Sequence, residues 1–129
     1  MTSHDPQMLK GVLSLLLLQL LAERESYGWE IVQRLRAEGL TDLMEGTVYP
    51  AMARLEREER VSARLIPSSS GPARKYYRPT AAGYAALEAG KQAWAAQTKV
   101  VRAIIERPVP AEGQRTGQDG DNGGSRAGN

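Results

Sequence analysis

Tyr49 and Pro50 stand side by side in this 129-residue chain, with arginines following at positions 54 and 57. Their types and spacing suit hydrogen bonding to anions and base edges. Arginine presents five donors in a planar fork that matches phosphates and the paired acceptors of guanine. At about 100° per residue, Tyr49, Pro50, Ala53, Arg54 and Arg57 share one helix face, while Val48, Met52 and Leu55 share the opposite one. The apolar side needs a core, so the donors should face outward, with Glu56 and Glu59 turned to another side. Two plainer readings stand beside this one. Tyr49 can be a part-buried core tyrosine, and the arginines can be a solvated face paired with Glu58.

A second group of donors follows. Between Arg60 and Arg78 lie five basic residues (Arg60, Arg64, Arg74, Lys75, Arg78) and no acidic one. Net charge over the whole chain is only +2, so the excess is local and suits an anionic partner. Lys10 can join it as a phosphate contact or serve as an ordinary surface lysine. Covalent catalysis finds no support. There is no cysteine, which excludes thiol nucleophiles, disulfides and cysteine-bound metal. The sole histidine, His4, sits in a polar segment and reads as a mobile, solvated side chain. No phosphate loop or paired-carboxylate cluster is present, so we expect neither an enzyme nor a cofactor.

The elements that must position these groups can be read in order. Residues 1–7 form a loose polar arm. A first helix runs from about Met8 to Ala22, apolar on nearly every side and therefore enclosed, in part by a second chain. Its run "VLSLLLLQLLA" is eleven residues, against about twenty for a membrane span. No small-residue cleavage site follows, so a cytoplasmic protein that does not enter a membrane is expected. Ser26 is positioned to cap a second helix, "YGWEIVQRLRAE", with Ile31, Val32 and Leu35 inward and Gly39 as its stop. Trp29 can be core, a contact between chains, or surface near a phosphate.

Thr47 should cap a third helix, placing Pro50 in the first turn, where its missing N–H matters little. "VSARLI" and "RKYYRP" read as two strands around the turn "PSSSGPA", with Tyr76 and Tyr77 on opposite faces. Thr80 can cap a last helix from about Ala81 to Glu106. Within it Leu87, Trp94 and Val101 recur every seventh residue, with Tyr84, Ile104 and Ile105 nearby: a seam for another helix. Gly83 and Gly90 suit close backbone approach. From Pro108 onward the chain is rich in glycine and polar residues and reads as disordered.

The fold class is therefore mainly α with a small β-hairpin. It comprises a winged helix-turn-helix over residues 8–79, one long helix over 80–107 for dimerisation, and a tail over 108–129. In that frame the third helix enters a major groove. Arg54 and Arg57 bond guanine edges or phosphates, Tyr49 and Thr47 sit at the helix start, Pro50 meets a thymine methyl, and Arg74 and Lys75 serve as wing contacts. A winged helix used only for protein contact is the competing class.

The motifs also carry a resemblance. "TVYPAMARLEREERV" followed by "SSSGPARKYYRPTAAG" is similar to the PadR family of bacterial transcriptional regulators. The matching motifs are Tyr49-Pro50, Arg54-Leu55-Glu56, Arg74-Lys75-Tyr76-Tyr77 and Thr80 to Gly83. "SYGWEI" resembles the family's Tyr-Gly-x-x-Ile helix start, which brings Tyr27 into the set. One departure is the turn after the third helix, where Glu59-Arg60 stands in place of the usual glycine. The resemblance implies a homodimeric repressor on an inverted-repeat operator in double-stranded DNA. Leu16, Tyr84, Leu87, Trp94, Val101, Ile104 and Ile105 would lie at its dimer interface. It also implies a flat aromatic or cationic effector stacked on Trp94, although a tryptophan at heptad spacing equally fills an interface core.

Overall fold

The computed structural model describes residues 4–112. Five helices and three strands follow in the order α1 (Pro6–Lys10), α2 (Leu13–Glu23), β1 (Ser26–Tyr27), α3 (Gly28–Ala37), α4 (Glu45–Arg57), β2 (Val61–Ser68), β3 (Gly71–Pro79) and α5 (Ala81–Ile105). The core joins Leu13, Leu17, Leu18 and Leu21 of α2 to Ile31, Val32 and Leu35 of α3 and Val48, Met52 and Leu55 of α4. Removing one such leucine from water is worth about 1.5–3 kcal/mol. The expected winged helix is present, with a long helix after the wing.

The start of the chain differs from the expected single helix and loose arm. Asp5 Oδ1 accepts from the Gln7 N–H at 2.9 Å, so Pro6 and Gln7 already belong to a helix. That helix closes at Gly11 and Val12, whose N–H groups bond to carbonyls three residues back. The run of leucines continues across this break, and periodicity alone does not show it.

Ser26 does not cap α3. It is fully buried in β1, and its hydroxyl accepts from Arg34 Nη1 at 2.9 Å. Tyr27 takes the cap position without a side-chain bond. Gly39, at φ 126°, ends α3 as expected. The N–H of Gly39 bonds Arg36 O and that of Leu40 bonds Leu35 O, the paired closure of a Schellman turn.

Helix α4 starts three residues earlier than expected, with Met44 rather than Thr47 as its cap. Pro50 is therefore inside the helix and beyond its first turn. The carbonyl it leaves without a partner is that of Gly46, and both residues lie on the exposed side, where solvent can satisfy it. The end of α4 repeats the closure of α3. Glu59 N bonds Glu56 O and Arg60 N bonds Leu55 O, but the left-handed position, at φ 59°, holds Glu59. The departure from glycine thus keeps the turn geometry and carries the steric cost of a Cβ.

The hairpin pairs Val61 with Pro79 and Arg64 with Tyr76, and β1 adds antiparallel to β3 through Ser26–Tyr77 and Tyr27–Tyr76. The strands run further than expected, so the turn narrows to Ser69 and Ser70. A tie at the wing base fixes where α5 begins. Thr80 N–H donates to Arg60 O (3.0 Å) and Thr80 Oγ1 donates to Glu59 O (2.7 Å). The same Oγ1 accepts from Gly83 N (3.0 Å). A Cβ at position 83 would overlap the Arg60 carbonyl oxygen, so the glycine there is a packing requirement. At Gly90 a Cβ would stand 2.8 Å from Leu15 Cδ1.

The chain divides into two compact units between Trp94 and Ala95, inside α5 rather than at its start. The expected disordered tail lies outside the described residues from position 113 on. Among the described residues no helix is long and apolar enough to cross a membrane.

Candidate nucleic-acid interface

The outward face of α4 carries the expected set. Pro50, Ala53, Arg54 and Arg57 are exposed and Tyr49 is 41% exposed, while Val48, Met52 and Leu55 are buried. Arg54 and Arg57 make no ion pair among the described residues. Glu58, their alternative partner, faces Arg60 at 3.8 Å instead. The Tyr49 ring lies against the first residue of α3. A Cβ on Gly28 would stand 3.0 Å from Tyr49 Cε1, so the Tyr27-Gly28 pair leaves room for the ring. Partial burial raises the Tyr49 phenol above its ordinary pKa, and the Glu45 carboxylate beside it adds to this. The hydroxyl therefore remains a hydrogen-bond donor at neutral pH.

On the other flank of α4, Lys10, Thr47, Pro50, Arg54 and Arg57 converge on an open groove of about 700 Å³ between α1 and α4. Leu9, Leu13 and Leu43 contribute apolar lining. Three cations thus face one acid, Asp42, and that acid is engaged. His4 Nδ1 lies 2.8 Å from Asp42 Oδ1, with the histidine side chain only 13% exposed. His4 is therefore held and largely covered, contrary to the expectation of a mobile, solvated side chain.

The wing separates its two expected contacts. Arg74 places its guanidinium 4.5 Å from the centre of the Tyr27 ring, and Tyr27 meets Tyr76 edge-on at 5.2 Å. Cation–π contact orients such a group without neutralising it. Lys75 points to the other sheet face. It bonds Glu56 Oε1 at 3.0 Å, and that carboxylate raises its pKa, so its charge is already partnered. Tyr77, on the same face as Lys75, packs on the core, which settles the two tyrosines: Tyr77 inward, Tyr76 outward. Arg64 is clamped by both oxygens of Glu25 at 2.8 Å. Its guanidinium holds the Glu25 carboxyl below the usual range.

Sequence reasoning left Trp29 unassigned. It is 52% exposed and stacked on Tyr27 with ring centroids 6.5 Å apart. The signal was an i, i+2 aromatic pair at a strand-to-helix junction, which helix periodicity hides.

Of the residues expected between two chains, Leu87 is buried in this chain's own core and Leu16 is half-buried against it. Heptad spacing identified Leu87 as apolar but not what it packs on. Tyr84, Trp94, Val101, Ile104 and Ile105 are exposed, as is Val100.

Comparison with known proteins agrees with this geometry. The profile of the transcriptional regulator PadR-like family matches residues 17–89. A PadR-like transcriptional regulator from Bacillus cereus, solved by crystallography, is 37% identical. The match covers 79% of this chain and 99% of that one, with a TM-score of 0.70. A PadR family regulator from Eggerthella lenta is 29% identical over 80% of this chain and 89% of that one, with a TM-score of 0.72. An uncharacterized protein from Lysinibacillus sphaericus is 33% identical over 101 residues, 77% of this chain and 93% of that protein.

Proposed function

Because the chain belongs to the PadR-like family of transcriptional regulators, we propose that it binds an inverted-repeat operator in double-stranded DNA as a homodimeric repressor. The observation that carries this is the convergence of Lys10, Thr47, Pro50, Arg54 and Arg57 on one open groove beside α4. Helix α4 then lies in a major groove, with Arg54 and Arg57 on guanine edges or phosphates and the Tyr49 hydroxyl donating to the backbone. Arg74, oriented by Tyr27, takes the flanking phosphates or the minor groove. Lys75 contributes less, because it must first leave Glu56.

The exposed apolar residues of α5, from Tyr84 to Ile105, support pairing of two copies through this helix. A second copy would carry a second α4 into the next major groove, about 34–36 Å away. Trp94, 53% exposed, suits stacking of a flat aromatic or cationic effector within that interface. Its heptad spacing with Leu87 and Val101 equally suits packing of that interface.

The test is selection of duplexes from a random library, followed by mobility shift over a salt series. The expected result is a palindromic site whose binding survives competitor DNA and weakens steeply as salt rises. No enrichment, or binding indifferent to salt, would favour a winged helix used for protein contact.

A further inference from the structure

Trp29 lies outside the groove and outside the set just assigned. Its indole is half exposed, yet it is held in place. It stacks on Tyr27, whose other contacts are the Tyr76 ring and the Arg74 guanidinium. Among the described residues its Nε1–H has no hydrogen-bond partner. Gly28, the residue between Tyr27 and Trp29, carries the Tyr49 ring against its α-carbon, so the stack adjoins the outward face of α4. The surrounding charge favours an anion. The outer sheet face adds Arg78 to Arg74. Of the neighbouring acids, Glu25 is clamped by Arg64, and Glu30 faces Arg24 at 3.5 Å.

We propose that Trp29 is a further DNA contact of this protein: stacked on Tyr27 beside Arg74, it lies along the sugar–phosphate backbone flanking the half-site and donates its indole N–H to a phosphate oxygen. The proposal rests on the operator-binding reading and extends it to a residue the recognition helix does not contain. A phosphate carries no base identity, so the contact adds affinity evenly across sequences. The donor is neutral, so it releases no counterion of its own.

The experiment uses the full chain labelled with 5-fluorotryptophan. Its two tryptophans give two fluorine resonances, assigned with Trp29→Phe. The selected operator duplex is titrated in, and binding is followed in parallel by anisotropy of labelled DNA. The expected result is that the Trp29 resonance moves in step with the anisotropy. Trp29→Phe, which keeps a ring and loses the donor, should weaken operator and random duplex alike. The loss should be about tenfold per half-site, the lower end for a hydrogen bond to a charged group, at unchanged salt slope. Binding with a stationary Trp29 resonance and an undiminished Trp29→Phe affinity overturns the proposal and leaves operator binding intact. A Trp29 resonance that shifts with protein concentration and not with DNA overturns it in favour of protein contact. If no duplex binds at all, the operator reading itself falls.

Discussion

Replacing Gly28 with alanine should separate DNA binding from folding. The new Cβ would stand 3.0 Å from Tyr49 Cε1 and 3.6 Å from Cδ1 and Cζ. Favourable carbon–carbon contacts lie at about 3.5–4.0 Å, so the ring must retreat by about 0.5 Å or more. It has somewhere to go, because Tyr49 is 41% exposed and outside the core cluster. Alanine is also the better helix former, by up to about 1 kcal/mol in a helix interior, and Gly28 does not need a positive φ. Net stability should therefore change by less than about 1 kcal/mol, read by urea unfolding. The hydroxyl, at the far end of the ring, moves most. Losing its bond to a phosphate should cost about 1.5–3 kcal/mol per half-site, about tenfold to a hundredfold in affinity for each half-site. Fluorescence anisotropy on the selected operator reads this, with Tyr49→Phe as the reference. Operator affinity equal to wild type in Gly28→Ala, with Tyr49→Phe weakened, would refute the positioning role of Gly28. Gross unfolding would refute the claim that the ring is free to yield.

Three further outcomes follow from the wing base and its anchors. Gly83→Ala drives a Cβ into the Arg60 carbonyl and breaks the two bonds from Thr80 to residues 59 and 60. At about 1 kcal/mol per bond plus about 1–3 kcal/mol for overpacking, it should lose about 3–5 kcal/mol by urea unfolding; a loss below about 1 kcal/mol would show that the close approach is dispensable. Glu59→Gly relieves a left-handed residue worth about 1–2 kcal/mol, partly offset by the freer unfolded chain, so its thermal midpoint should rise by a few degrees, and a fall would contradict the strain. The Glu25–Arg64 clamp has a depressed carboxyl pKa, so its contribution is present above the ordinary value of 4.5 and is lost as pH falls through the lower folded value. The protection factors of the β2 amides, taken against intrinsic exchange at each pH, should fall below that pH in wild type and stay level in Glu25→Gln.

The outer face of α4 was legible because one physical rule governs it. Val48, Met52 and Leu55 need a core, and helix geometry then sends Tyr49, Arg54 and Arg57 outward. Thr80 and Gly83 were legible for a related reason, since a cap and a close approach each demand a residue type. What escaped depends on partners distant in the chain. Lys75 is matched by Glu56 across an element boundary, and His4 by Asp42 across three helices, and neither spacing has a period. The two-residue β1 is too short to show alternation, so Ser26 looked like a cap when it is a buried strand residue bonded to Arg34. The helix break at Gly11–Val12 was masked because leucines suit the core on both sides of it.

The central claim is that two copies of the α4 face read one duplex together. A hydroxyl-radical footprint of the wild-type protein on its selected operator tests it most directly, with Arg54→Ala in parallel. The account predicts two protected half-sites related by a dyad, about one helical turn apart, with Arg54→Ala losing protection at both. A single unsymmetric patch, or protection that Arg54→Ala leaves unchanged, would contradict it.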